Sequence, residues 1–221
     1  MNGTGLLIEG IRKGVLSSSL EGSIVDGLFS AFKSGLFKEN LDNWKKTVED
    51  RLNMLRDVQI DQLIKNRLFA NVFLTSAQLA IKTNEKKAKL LANAVANTAN
   101  TSLSEDRIIV LLNCIERYSL SHLKMLLYLQ NPKVFFKGEP YMGSPMSYYH
   151  NCFPNNDEAL DRVINRDLFL DGMIDIESLE VTATGNGCIE KHTKQLGDDM
   201  ISYFGIGIET ITQKLDTYEN D

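Results

Sequence analysis

The chain has 221 residues, with 24 Lys and Arg against 29 Asp and Glu and a formal net charge of −5. Hydrophobic residues make up 43% and charged residues 24%, a balance that supports a buried core and excludes wholesale disorder, a collagen-like chain and a disulfide scaffold. No stretch reaches the ~18 uncharged apolar residues that a membrane-spanning helix needs. The opening MNGTGLLIEG has no basic region ahead of its apolar run, so it makes a poor signal peptide. Cys114, Cys152 and Cys188 show no CxxC spacing, and an odd number cannot all pair within one chain. They read as free thiols in a reducing cytoplasm.

Charge is unevenly distributed. Residues 38–92 carry 11 positive and 7 negative groups, whereas residues 155–221 carry 5 and 15. Gripping phosphates requires Lys and Arg, because charge neutralisation and counterion release supply much of the affinity. The last third has the opposite sign.

Residues 5–37 place Leu7, Ile11, Val15, Ile24, Leu28, Phe32 and Leu36 at mostly helical intervals among repeated glycines. Interior Gly weakens a helix by about 1 kcal/mol each, a cost that close helix–helix approach, within the chain or between copies, offsets; a flexible amphipathic arm is the alternative. Its polar face has only Arg12, Lys13 and Lys33 to meet anionic lipid, which argues against a membrane surface. The strongest helical pattern follows over 40–82, where Leu41, Trp44, Val48, Leu52, Leu55, Phe69 and Phe73 recur without Pro or Gly. Asn84 caps a helix over 85–99, the Ser102-x-x-Glu105 box or Ser104 starts another ending near Tyr118, and Ser119 or Ser121 caps a third that stops before Pro132.

Residues 131–156 hold all four prolines and predict a long irregular connection. Asn155-x-x-Glu158 predicts a helix over 157–169. Short strands are expected at Gly172–Ile176 and Ser178–Thr184, with Gly185-Asn-Gly187 as a hairpin turn and Cys188–His192 returning as its partner. Thr193–Gly197 opens a final helix with Met200, Ile201, Phe204 and Ile208.

The helix at 157–169 running into Leu170-Asp-Gly172-Met-Ile, with a wing ending at Thr193-x-x-Leu-Gly197, resembles the third helix and wing of winged-helix proteins. The stretch from Lys87-Ala-Lys-Leu-Leu-Ala-Asn-Ala through Leu129 resembles bacterial helical proteins of the abortive-infection alpha type, which implies a prokaryotic or phage setting and host–phage conflict. The fold class expected is mainly α. Residues 1–100 form a helical arm and amphipathic helices, and 101–221 form a winged-helix-like domain with a small β-hairpin and an inserted loop at 131–156.

The expected recognition helix reads Asp157-Glu158-Ala-Leu-Asp161-Arg162-Val-Ile-Asn165-Arg166-Asp167. Its four carboxylates repel phosphate beside two arginines, so nucleic acid is an unfavoured partner. His150-Asn-Cys152 and Cys188 with His192 lack the close ligand pairs of zinc sites, and no nucleophile elbow, Walker loop or HExxH occurs. No metal, cofactor or catalytic residue is assigned. The loop concentrates Phe135, Phe136, Tyr141, Tyr148, Tyr149 and Phe153, residue types enriched at interface cores; they either form a partner-binding surface or tuck into the core and pin the loop. The basic stretch Lys82–Lys89 either meets an acidic surface, such as the last third of another copy, or is a solvated helix start. The reading is a non-catalytic, cytoplasmic protein-interaction module with self-association through the N-terminal helices. A winged-helix nucleic-acid regulator and an enzyme of unassigned class are the alternatives.

Overall fold

The structure is a computed structural model that describes residues 38–52, 63 and 66–211. The arm expected over 5–37 lies outside the described residues. The chain is mainly helical, and it divides into two compact units: residues 1–116 with 203–205, and residues 117–202 with 206–221.

In the first unit, helix α1 (Lys38–Leu52) turns Leu41, Trp44, Val48 and Leu52 inward. Their spacing of three and four puts them on one stripe. Helix α2 (Arg67–Ile81) begins at Asn66, whose side-chain oxygen accepts the Leu68 and Phe69 N–H groups at 2.9 and 3.3 Å. Asn66 has extended backbone, φ −86° and ψ 114°, so the pattern over 40–82 is not one continuous helix. A side chain that satisfies the first free N–H groups starts a new helix. Trp44 meets Phe73 edge-on at 5.2 Å and 65°, joining the two buried stripes.

Helix α3 (Glu85–Thr98) opens as expected on Asn84, which accepts the Lys87 N–H at 2.9 Å. It packs on both α1 and α2 through fully buried Ala88, Leu91, Ala92 and Val95. Helix α4 (Glu105–Arg117) buries Ile108, Leu111 and Ile115. Residues 203–205 join this unit through polar contacts. The Asn93 and Asn97 amides donate to the Phe204 and Tyr203 carbonyls at 3.1 and 2.8 Å, and the Thr98 and Tyr203 hydroxyls lie 2.7 Å apart. Burial pushes the Tyr203 phenol up to about 12, against the opposing pull of that hydrogen bond.

In the second unit, helix α5 (Leu120–Gln130) follows Ser119, whose N–H donates to His122 Nδ1 at 3.2 Å. The connection at 131–156 contains helix α6 (Pro132–Phe135) and helix α7 (Pro145–Cys152), where the sequence predicts irregular chain. Pro132 and Pro145, two of the four prolines that read as breakers, sit at the first helical position, where a missing N–H costs nothing and the fixed φ suits the helix. Helix α8 (Glu158–Leu170) is capped by Asp157, which accepts from Ala159 and Leu160 at 2.9 and 3.2 Å, rather than by Asn155. It ends at Gly172, whose φ of 73° favours glycine. There the Gly172 and Met173 N–H groups donate to the Phe169 and Leu168 carbonyls, both at 2.9 Å.

The β-hairpin expected over 178–192 does not form. Gly185–Cys188 is one turn of helix, α9, capped by Thr184, because that hydroxyl supplies a local partner for the Gly187 N–H. Among the described residues, pairing is limited to two isolated antiparallel bridges, Gly143 with Ala183 and Ile174 with Thr193. Around the second bridge, the Asp175 backbone N–H donates to the His192 carbonyl at 3.0 Å and the Lys194 backbone N–H to the Met173 carbonyl at 2.9 Å. Helix α10 (Gln195–Phe204) follows, then the single turn α11 (Ile208–Ile211).

Asp198 locks the start of α10. It accepts from Lys191 Nζ at 2.6 Å, Thr193 Oγ1 at 2.7 Å and Gln130 Nε2 at 3.3 Å. Burial disfavours its charged form, but these donors outweigh that effect and hold its carboxyl below the ordinary range. Its stabilisation is therefore complete above the ordinary carboxylate value of about 3.9 and is lost as pH falls through the lower folded-state value. Urea midpoints of the native chain and Asp198→Asn should differ at pH 7 and converge in acid; an equal gap at both would refute this role. Gly197 is a second test. A Cβ there would lie 2.4 Å from the Met173 carbonyl oxygen, so Gly197→Ala should destabilise by about 1–3 kcal/mol in urea unfolding, and an unchanged midpoint would contradict the close approach.

Candidate functional site

The six aromatic residues of the 131–156 segment fall into two clusters. Phe135 on α6 and Tyr149 with Phe153 at α7 surround Tyr128 of α5. Ring centroids are 5.0 Å apart for Tyr128–Tyr149 and Tyr149–Phe153, and 5.7 Å for Phe135–Phe153. Phe136 and Tyr141 flank Tyr148, each at 4.6 Å, and Tyr148 packs on Cys188 and Ile189. The Tyr148 hydroxyl accepts the Tyr141 N–H and donates to the Tyr141 carbonyl, both at 2.5 Å. Tyr148 and Tyr149 are fully buried, and Phe135, Phe136 and Phe153 are half-buried. The exposed large apolar side chains of this segment are Val134 (44%), Tyr141 (46%) and Met142 (77%).

Next to these rings lies a set of polar groups. His150 Nε2 is 3.1 Å from Asp161 Oδ2, and Asp161 is buried. Lys124 Nζ donates to Asn156 Oδ1 at 2.5 Å and stands 5.1 Å over the Phe153 ring. Burial lowers the Lys124 ammonium and Asp161 opposes that shift. Burial also pushes the Tyr128 and Tyr149 phenols up.

A thiolate–imidazolium pair would need Cys152 and His150 in contact. His150 instead engages Asp161, and burial raises the Cys152 thiol. Cys188 shares that upward shift from burial, and its thiol points at the Ala183 carbonyl at 3.7 Å; His192 meets Asp175 at 3.0 Å. A thiol raised in this way has little thiolate to attack or ligate with. Among the described residues, no three His, Cys, Asp or Glu side chains are gathered for a metal.

All three histidines of the chain meet an aspartate on α8 or just beyond it: His122 with Asp167 at 3.4 Å, His150 with Asp161, and His192 with Asp175. Asn165 Nδ2 adds a bond to the Glu177 carbonyl at 2.7 Å. With Ile164 and Leu168, these groups fix the inner face of α8.

Its outer face mixes exposed apolar side chains with the charged Glu158, Arg162 and Arg166. Leu160 is 47% exposed, Val163 55% and Leu170 69%. Arg162 pairs with Glu158 on its own helix and with Glu180 at 2.8 Å, and hydrogen bonding to Glu180 raises its already high pKa. The segment carrying Glu180 also runs beside the aromatic connection: Met146 donates to the Leu179 carbonyl at 2.8 Å, and Gly143 bridges Ala183. Val181, 50% exposed, lies between these ties. Exposed apolar side chains thus occur on three segments joined by hydrogen bonds: α8, residues 177–183, and the Tyr141–Met142 tip. The α8 residues were missed by sequence reading. The available signal was that Leu160, Val163, Ile164, Leu168 and Leu170 span more of the helix circumference than one buried stripe requires.

In the first unit a groove of about 300 Å³ runs between α2 and α4, floored by Leu68, Val72 and Leu112 beside half-exposed Ile109.

Comparison with protein-family models, with curated proteins and with solved structures gives no match.

Among the described residues, the buried Tyr128 hydroxyl has no hydrogen-bond partner. Removing an unsatisfied polar atom while keeping the ring relieves its desolvation cost, so Tyr128→Phe should leave stability unchanged or raise it by about 1 kcal/mol. Tyr149→Ala removes a fully buried ring of the Tyr128 cluster and should cost about 3–5 kcal/mol. Chemical denaturation of both variants tests the assignment; a marked loss in Tyr128→Phe would show that its hydroxyl is bonded.

Proposed function

We propose that the second unit is a non-catalytic protein-interaction module that presents the outer face of α8, with Val181 and the Tyr141–Met142 tip, to a polypeptide partner. The observation that carries this reading is the exposed Leu160, Val163 and Leu170 row on a helix whose Arg162 is already spent on two glutamates. Exposed apolar groups on a fixed helix gain free energy by leaving water against another apolar surface. They gain nothing from a phosphate backbone. The raised Cys152 and Cys188 thiols and the paired histidines support the non-catalytic part of the reading.

The winged-helix arrangement is part of the same proposal. A helix–bridge–helix order, in which α8 is followed by the Ile174–Thr193 bridge and then α10, supports it. In this reading the surface with which winged-helix proteins read DNA is here an apolar contact.

The expected result is that Leu160→Ser with Val163→Ser leaves the unfolding midpoint within about 0.5 kcal/mol of native, since both side chains are exposed. The same pair should weaken a purified partner, recovered by cross-linking through position 163, by about tenfold or more. A mobility shift at low salt should show no retention of duplex DNA. Unchanged partner affinity, or duplex binding that falls steeply with added salt, would overturn the reading.

A further inference from the structure

The outer face of α8 carries one more charged group. Helical spacing places Ala159, Val163, Arg166 and Leu170 on the same outward row, four, three and four residues apart. Arg166 is exposed. Among the described residues it has no ion-pair partner; Lys194 over the Phe169 ring and Lys124 on Asn156 share that state, whereas other nearby cations are paired. Arg162, one turn earlier, is held by Glu158 and Glu180; Arg117 is held by Asp171 at 3.0 Å; and Lys191 is held by Asp198 at 2.6 Å. The nearest acids on α8 are occupied too. Glu158 is bound to Arg162, Asp161 to His150, and Asp167 to His122.

A guanidinium standing between Val163 and Leu170 differs in consequence from one at a solvated edge. When a partner covers the flanking apolar side chains, it strips water from Arg166 as well. An unpaired charge in that position opposes binding, whereas a carboxylate placed opposite makes a charge-assisted, bidentate contact. Arginine at the centre of an apolar patch is also a side chain that dominates interface energetics.

We infer that Arg166 is the specificity-determining contact of this face, and that the partner is a polypeptide segment carrying an Asp or Glu among apolar residues. This inference rests on the protein-interaction reading of the same surface. It makes a partner with Lys or Arg at the facing position unfavourable by like-charge repulsion, so one side chain both attracts and rejects.

Selection from a phage-displayed library of 16-residue peptides, run on the full-length chain, tests it. The native chain should enrich peptides with an Asp or Glu flanked by Leu, Ile or Phe, and Arg166→Glu should enrich Lys or Arg at that position instead. Replacing the enriched carboxylate by its amide should weaken native binding by roughly tenfold, as expected for a charge-assisted pair, and should have little effect on Arg166→Gln. Peptides that need Leu160 and Val163 but show no preference for a carboxylate would overturn the role of Arg166 and leave the interaction surface standing. Failure to enrich any peptide whose binding falls in Leu160→Ser with Val163→Ser would overturn both.

Discussion

Helix α8 is fixed from its inner side by groups that reach it from elsewhere in its unit. His122 comes from α5, His150 from α7 and His192 from the segment before α10, each meeting an aspartate on or just past the helix. Asp161 and Asn165 would be costly to bury alone. Paired with His150 and the Glu177 carbonyl, they orient the helix instead. Ile164 and Leu168 need only one face to pack, so Leu160, Val163, Arg166 and Leu170 are left facing outward. The candidate surface is thus a consequence of how the opposite face is satisfied.

The aromatic connection contributes by rigidity. Two ring clusters, centred on Tyr128 and Tyr148, turn Tyr148 and Tyr149 inward and leave Tyr141 and Met142 exposed. Through Met146 and Gly143 it is hydrogen-bonded to residues 179 and 183, and through Arg162 and Glu180 that strip is tied back to α8. A preorganised surface loses less conformational freedom on binding than a mobile loop. Met142, with its adaptable thioether, is suited to fill gaps against a partner.

Charge acts here at the level of individual pairs more than of totals. The last third carries an acidic excess, yet most of its acids on α8 are engaged locally. What that helix presents outward is a row of exposed apolar side chains with Arg166 among them. Asp198 shows the same principle in the framework. Burial works against its charge, and three donors outweigh it.

Much of the helical layout is legible in the sequence, because caps and apolar spacing are local properties. Asn84 and Ser104 mark helix starts from their own chemistry, and Leu41, Trp44, Val48 and Leu52 declare one buried stripe. Local signals failed where two local outcomes compete. Pro132 and Pro145 can end a helix or begin one, and Gly185-Asn-Gly187 can form a hairpin turn or a helical turn closed by Thr184. The fates of Tyr148 and Tyr149 depend on Tyr128, Phe136 and Cys188, which come from other parts of the chain and carry no mark of that meeting. Spacing alone identifies the faces of α8, but that Asp161, Ile164, Asn165 and Leu168 form the inward one depends on neighbours elsewhere in the unit, His150 among them. Only the folded chain brings the three imidazoles to their carboxylates, because burial and pairing are properties of neighbours in space.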